Sequence, residues 1–100
     1  MNKINPLEGY VIELSPKAKK AIRSLDFSTQ KKIFEKLEAL VSHAHSLDVK
    51  KLTGYESFFR IKVGDYRIIY EPLHQRIVVY VIFAGHRKNI YSEFGKFAKS

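Results

Sequence analysis

The chain has 100 residues, 45% of them hydrophobic, which suffices for one compact core and leaves no room for a second, so residues 1–100 are read as a single domain. Eighteen Lys and Arg oppose ten Asp and Glu, a net charge of +8 that seeks a polyanion, nucleic acid first. The absence of cysteine excludes disulfides and thiolate metal sites, and the longest apolar run, Ile77 to Ala84, is too short to cross a bilayer. A cytoplasmic protein with no membrane partner is expected.

Residues 1–8 read as a loose leader. Tyr10-Val11-Ile12-Glu13-Leu14 is a β-prone run that stops at Ser15-Pro16, where Ser15 suits a helix cap and Pro16 the first helical position. Ala18, Ala21, Ile22 and Leu25 then repeat at helical spacing, with Lys17, Lys19, Lys20 and Arg23 outside. A second helix, expected to be capped by Ser28, carries Ile33, Phe34, Leu37, Leu40, Val41 and Ala44 on one stripe, so the two helices form an αα-hairpin.

Three β-rich runs follow, Ser57 to Val63, Tyr66 to Glu71 and Arg76 to Ala84, divided by Gly64-Asp65 and by Pro72 to Gln75. Gly64 at the first central position predicts a type II′ turn, which sets Val63 opposite Tyr66, Ile61 opposite Ile68 and Lys62 opposite Arg67. The third run does not alternate, the mark of an interior strand buried on both faces. A short last helix, from Ile90 to Ala98, directs Ile90, Phe94 and Phe97 inward. The fold class is therefore α+β: an N-terminal strand, an αα-hairpin, then an antiparallel β-meander with a short C-terminal helix, the helices packed on one face of the sheet.

The same register puts Arg60, Lys62 and Arg67 on the face away from the helices. Lys62 and Arg67, like charges directly across a ladder, cost up to about 1 kcal/mol on the scale of cross-strand pairs. A bound phosphate is the natural counter-charge, against the plainer alternative of a solvated outer face with fanned side chains. Lys50 and Lys51 before the hairpin, and His86, Arg87 and Lys88 after the last strand, could border the same basic concavity. Phe58, Tyr80 and Tyr91 lie among these cations in sequence, as aromatics do where unstacked RNA bases are held, although Phe58 and Tyr80 are more simply packing residues.

His43 and His45 stand two apart near a helix end and diverge, while His74 sits in a turn, so no metal site is expected. The chain has no Gly-rich phosphate loop, no G-x-S-x-G elbow and no cysteine nucleophile. Nucleotide hydrolysis and acyl transfer therefore lack their residues, and no cofactor is expected.

The segment Phe59-Arg60-Ile61-Lys62-Val63-Gly64-Asp65-Tyr66-Arg67-Ile68-Ile69-Tyr70-Glu71, followed by Val81-Ile82-Phe83-Ala84-Gly85-His86-Arg87-Lys88-Asn89-Ile90-Tyr91, resembles the core of RelE-like toxins in the RelE/ParE superfamily. The resemblance extends over about residues 10–94. It implies the toxin of a type II toxin–antitoxin system: a metal-independent, ribosome-dependent endoribonuclease that cuts messenger RNA and is held inactive by a small acidic antitoxin. By position it makes Arg67 and Arg87 the catalytic arginines, Lys62 the proton-transferring lysine and Tyr91 the base-stacking tyrosine; His86, as an imidazole, is a second candidate base ranked below Lys62. Lys50, Lys51, Arg60, His86 and Lys88 would line the RNA path. Arg60 departs from the family pattern, where a second lysine stands, and the step from Arg87 to Tyr91 is shorter than in some members. The alternative within the superfamily is a ParE-like toxin that inhibits DNA gyrase by binding, without cutting RNA. A third reading is a non-toxic binding module.

Overall fold

The computed structural model describes residues 5–42 and 49–99. Strand β1 (Val11–Leu14) runs through Ser15 into helix α1 (Pro16–Arg23). The Ser15 hydroxyl accepts from the Ala18 N–H at 3.0 Å and donates to the Ile82 carbonyl at 2.7 Å, so one buried side chain both caps α1 and ties it to the sheet. Helix α2 (Phe27–Leu40) is capped by Asp26 and not by Ser28. Asp26 has the extended backbone of a cap, and its carboxylate accepts from the Thr29 hydroxyl at 2.6 Å and from the Thr29 N–H at 3.0 Å. These bonds, the hydroxyl's first, hold its carboxyl below the usual carboxylate range.

Ala18 and Ile22 of α1, with Ile33, Leu37 and Leu40 of α2, are buried in the main core, while Phe34 stands 43% exposed. A stripe centred on Ile33, Leu37 and Leu40 leaves the residue after Ile33 on its flank. Ala44, His43 and His45 lie outside the described residues. The loose-leader expectation is corrected over residues 5–8: Leu7 is in the main core, and the buried Asn5 amide donates to the carbonyls of Leu40 at 2.9 Å and Ser42 at 2.7 Å. Leu40 is the last residue of α2, whose final carbonyls find no partner inside the helix, so the N-terminal segment docks by satisfying the chain where α2 ends.

Strands β2 (Val49–Lys51), β3 (Phe59–Val63), β4 (Tyr66–Leu73) and β5 (Val78–His86) precede helix α3 (Ile90–Lys99). The sheet order is β1-β5-β4-β3-β2, with β1 parallel to β5 and the other pairs antiparallel. Gly64 has φ +59°, and the β3–β4 register is the expected one, Lys62 opposite Arg67 included. β5 is interior, as its unbroken apolar run requires. β2 and the β1–β5 pairing were not expected: three residues carry too little pattern to read as a strand, and parallel pairing leaves no local signature.

Side chains alternate across a strand, so the two cores lie on opposite faces of the sheet. Ile68 and Tyr70 join the main core under the αα-hairpin, whereas Ile69 packs with Ile90 and Phe94 of α3 in a second core. The expectation of helices on one face therefore holds for the hairpin, and α3 covers the other face. Gly85 admits it: a Cβ there would lie 3.0 Å from Ile90 Cδ1. Ile90 and Phe94 point inward as expected, and Phe97, although 45% exposed, also turns towards this core, its ring 5.6 Å from that of Phe83 and 6.2 Å from that of Phe94. Among the described residues no helix is long and apolar enough to cross a membrane.

Candidate nucleic-acid interface

Register alone assembles the basic row. Lys50 stands opposite Arg60 across β2–β3, and Lys62 opposite Arg67 across β3–β4. Arg60 and Lys62 are two apart on β3, so all four side chains leave the same face, the one that α3 partly covers. Beside Arg67 on β5 is Gly85, which adds no side chain to the row.

The second arginine arrives through the turn. The Arg87 N–H donates to the Asp65 carbonyl at 2.7 Å, and the Arg87 Nε lies 3.6 Å from the Asp65 carboxylate. The Arg67 Nη1 donates to the carbonyls of Gly64 and Tyr66, each at 2.9 Å. Two guanidiniums are thus held by the one tight turn whose shape Gly64 sets, with Lys62 one ladder step away. The Arg87–Asp65 pair is more than half exposed, so solvent screens it and the guanidinium remains accessible to a stronger anion.

Further along the same face a cleft of about 390 Å³ opens between the β2–β3 hairpin and α3, lined by Lys50, Lys51, Tyr55, Arg60, Tyr91 and Phe94 among others. Tyr91 is 47% exposed at the start of α3. Arg60 is buried at 6%, not fanned into solvent, because α3 roofs its end of the row. Phe58 and Tyr80 belong to the second core, where Phe58 meets Phe94 edge-on at 5.5 Å, so they take the packing role. Lys88 is exposed in the link to α3.

His86 is the residue the structure separates from the others. The strand stays regular through Gly85, so His86 pairs with Tyr66 on the hairpin face, their rings edge-on at 5.6 Å, away from Lys62 and Arg67. Its Nδ1 accepts from the Lys88 N–H at 3.2 Å. His74 meets the Tyr10 hydroxyl at 2.6 Å on the far side of the molecule. Among the described residues no three His, Asp or Glu side chains gather as a metal would require.

A family model described as the ParE toxin of the type II toxin–antitoxin system parDE matches residues 12–91, which takes in every strand named above except the first residue of β1. The chain belongs to the ParE toxin family. Its relatives place it on the RelE-like side of that family. It is 27% identical over 88 residues to the mRNA interferase toxin RelE of Escherichia coli, covering 84% of this chain and 92% of that one. It is 44% identical to Toxin RelE3 of Methanocaldococcus jannaschii over 48 residues, 48% of this chain and about half (52%) of that protein's length. Among solved structures, the archaeal RelE–RelB complex of Pyrococcus horikoshii matches with a TM-score of 0.66 at 25% identity, over 78% of this chain and 94% of that one. The isolated RelE toxin of E. coli matches with a TM-score of 0.64 at 26% identity, over 90% and 99%.

Within this RelE-like frame the cleft adds Tyr55, which sequence reading passed over, and Phe94, which it read only as packing inward. Tyr55 packs edge-on against Phe94 at 5.3 Å and is placed by the Leu52–Tyr55 turn, whose Gly54 has φ +86°. The available signal was Thr53-Gly54 followed at once by an aromatic. Only the fold of α3 onto the other face makes that aromatic a wall of the cleft.

Proposed function

We propose that this chain is the toxin of a type II toxin–antitoxin pair and a ribosome-dependent endoribonuclease that cleaves messenger RNA without a metal. The observation that carries the reading is the gathering of Lys62, Arg67 and Arg87 around the Gly64–Asp65 turn, on a face continued by Lys50, Arg60 and Tyr91. The names of its relatives support it: two are an mRNA interferase and a RelE toxin, and the Pyrococcus protein was solved with its RelB antitoxin. A cognate antitoxin, a small acidic protein, is the expected partner of so basic a chain.

RNA is cut when a 2′-hydroxyl attacks the neighbouring phosphorus, the hydroxyl proton leaves to a base, and the departing 5′-oxygen takes a proton. In this reading Lys62 serves as the base in the fraction of chains whose ammonium has given up its proton, a role supported by His86 facing the other way. Arginine keeps its proton and clamps two phosphate oxygens at once, so Arg67 and Arg87 offset the charge that builds on the phosphorane. Arg87, the more exposed of the two on its loop, takes the role of proton donor to the leaving oxygen in this reading. Tyr91 at the cleft mouth offers a ring for an unstacked base, and Lys51 and Lys88 extend the path for the backbone.

The test is cleavage mapping on translating ribosomes, with analysis of the cut ends, for the parental chain, Arg67→Ala and Arg87→Ala. Parental cuts that leave a 2′,3′-cyclic phosphate and a 5′-hydroxyl, and losses of about 10²-fold or more in each variant, are expected. Equal cutting by all three proteins would overturn the site, and 5′-phosphate ends, the product of water activated by a metal, would overturn the metal-free mechanism. A toxin acting only on gyrase would leave every message intact.

A further inference from the structure

Tyr70 is 2% exposed, its ring stacked on that of Phe59 at 5.7 Å, and among the described residues its hydroxyl has no hydrogen-bond partner. Burial alone raises its phenol, with no hydrogen bond to offset it. No buried side-chain oxygen among the described residues is left unsatisfied, so the Tyr70 oxygen keeps one open side. That side is a second cleft, of about 380 Å³, which Tyr70 lines.

The cleft opens where the docked N-terminal segment meets the end of α2 and the β2 edge of the sheet. Pro6, Leu7, Leu40, Val49, Phe59 and Pro72 supply hydrocarbon walls, and no described lining residue carries a permanent charge. The neighbouring polar groups are committed. Asn5 donates to the carbonyls of Leu40 and Ser42 and accepts from the Leu7 N–H at 3.0 Å, while His74 Nδ1 meets the Tyr10 hydroxyl. The phenol is left as an unpaired donor in an apolar wall, a position where phenylalanine would fill the same space without an unmet hydroxyl. Packing therefore accounts for the ring and not for its oxygen. Val49 and Phe59 alternate with Lys50 and Arg60 along β2 and β3, so this cleft backs onto the basic row through the thickness of one sheet.

We propose that this cleft binds a neutral, mostly apolar small molecule whose single hydrogen-bond acceptor sits on the Tyr70 hydroxyl. Its volume lies within the span of small-molecule pockets, about 300 to 1,000 Å³, and such pockets share its apolar walls and sparse polar groups. A charged ligand would bury its charge without a partner. A peptide would bring an N–H and a C=O at every residue to a wall that offers one phenol. Water enters too, but it meets the phenol and otherwise hydrocarbon, short of the roughly two to four partners that fix an ordered water. The inference goes beyond the nuclease reading and does not rest on it, because the cleft and the basic row occupy opposite faces of the sheet.

The experiment titrates the full chain with acetophenone and with ethylbenzene, two probes of nearly the same shape that differ by the carbonyl oxygen, and follows backbone amide shifts by NMR. Acetophenone should bind the parental chain with a Kd of about 5 mM or below and move the amides of Leu7, Val49 and Phe59. Tyr70→Phe should weaken acetophenone about fivefold while leaving ethylbenzene within about twofold of its parental affinity. Val49→Phe, which fills the cleft, should abolish binding of both probes, and Arg67→Ala with Arg87→Ala should keep both parental affinities. The proposal is overturned if Tyr70→Phe binds acetophenone as tightly as the parent, if neither probe binds, or if Val49→Phe leaves the affinities unchanged. Cleft amides that move only on dilution of the chain, or only when the antitoxin is co-expressed, would give the cleft to a second copy or to a protein partner and overturn it as well. Because this readout involves no RNA, a chain that binds acetophenone through Tyr70 yet cuts no message would sink the nuclease reading and leave this one standing.

Discussion

Arg67 does two things at once: its guanidinium spans the carbonyls of Gly64 and Tyr66, and it stands across the ladder from Lys62. Both carbonyls are held by Nη1 alone, which leaves Nε and Nη2 to form a fork on a phosphate, whereas a lysine has a single nitrogen for both tasks. Arg67→Lys, which preserves charge, should therefore lower single-turnover cleavage on programmed ribosomes about 10²-fold with an unchanged circular dichroism spectrum. Parental turnover in that variant would mean that charge alone, without the fork, is enough. Tyr70 carries a separate residue-scale consequence. Burial pushes its phenol up to about 12 from 10.0. Below pH 10 the phenol is protonated folded or unfolded and contributes no pH dependence. Above it the unfolded chain loses a proton that the folded chain keeps, so stability falls as pH climbs from about 10 towards 12. Tyr70→Phe should flatten that part of the curve, read as a smaller drop in urea midpoint between about pH 9 and pH 11. An equal drop in both proteins would remove Tyr70 from the account.

Among the elements, α1 shows how one short cap ties local to long-range structure. Ser15→Ala leaves the Ala18 N–H and the Ile82 carbonyl without their partner inside the protein, and should cost about 1 to 2 kcal/mol. At this size that is a fall in Tm of roughly 4 to 8 °C per kcal/mol, measured by thermal melting. No change in Tm would show the cap to be replaced by water. This cap was legible in the sequence, as were the β3–β4 turn and its register, because Ser-Pro and Gly-Asp act on the residues beside them. What escaped depended on distant partners. Asp26 outcompeted Ser28 because Thr29 supplied two donors to it, Asn5 found the α2 carbonyls across the chain, and α3 crossed to the far face because Gly85 leaves room for Ile90. The basic row was readable from a single two-residue turn, whereas the exclusion of His86 and the roofing of Arg60 required knowing where the last helix goes.

For the whole molecule the net charge of +8 is distributed, not diffuse: residues 50–100 carry ten basic and four acidic side chains, and the structure turns most of that surplus towards one face. Affinity built this way comes from counterion release and scales with the number of phosphates met. If Lys50, Lys62, Arg67 and Arg87 each meet one phosphate of a single strand, the slope of log affinity against log salt is about −3 at 0.7 per contact. A fluorescent, non-cleavable RNA strand carrying 2′-methoxy groups would report it, titrated with the parental chain in a KCl series. Arg87→Ala should then lessen the slope by somewhat less than one. Its Asp65 partner already offsets part of that charge in the unbound protein, so fewer counterions remain to be released there. Asp65→Asn should act in the opposite direction, steepening the slope and tightening the strand at low salt while unpinning the guanidinium that the turn holds. Tighter binding with slower cleavage in that variant would separate the attraction of the face from the placement of its arginine. Faster cleavage would mean that the ion pair restrains Arg87 instead of aiming it.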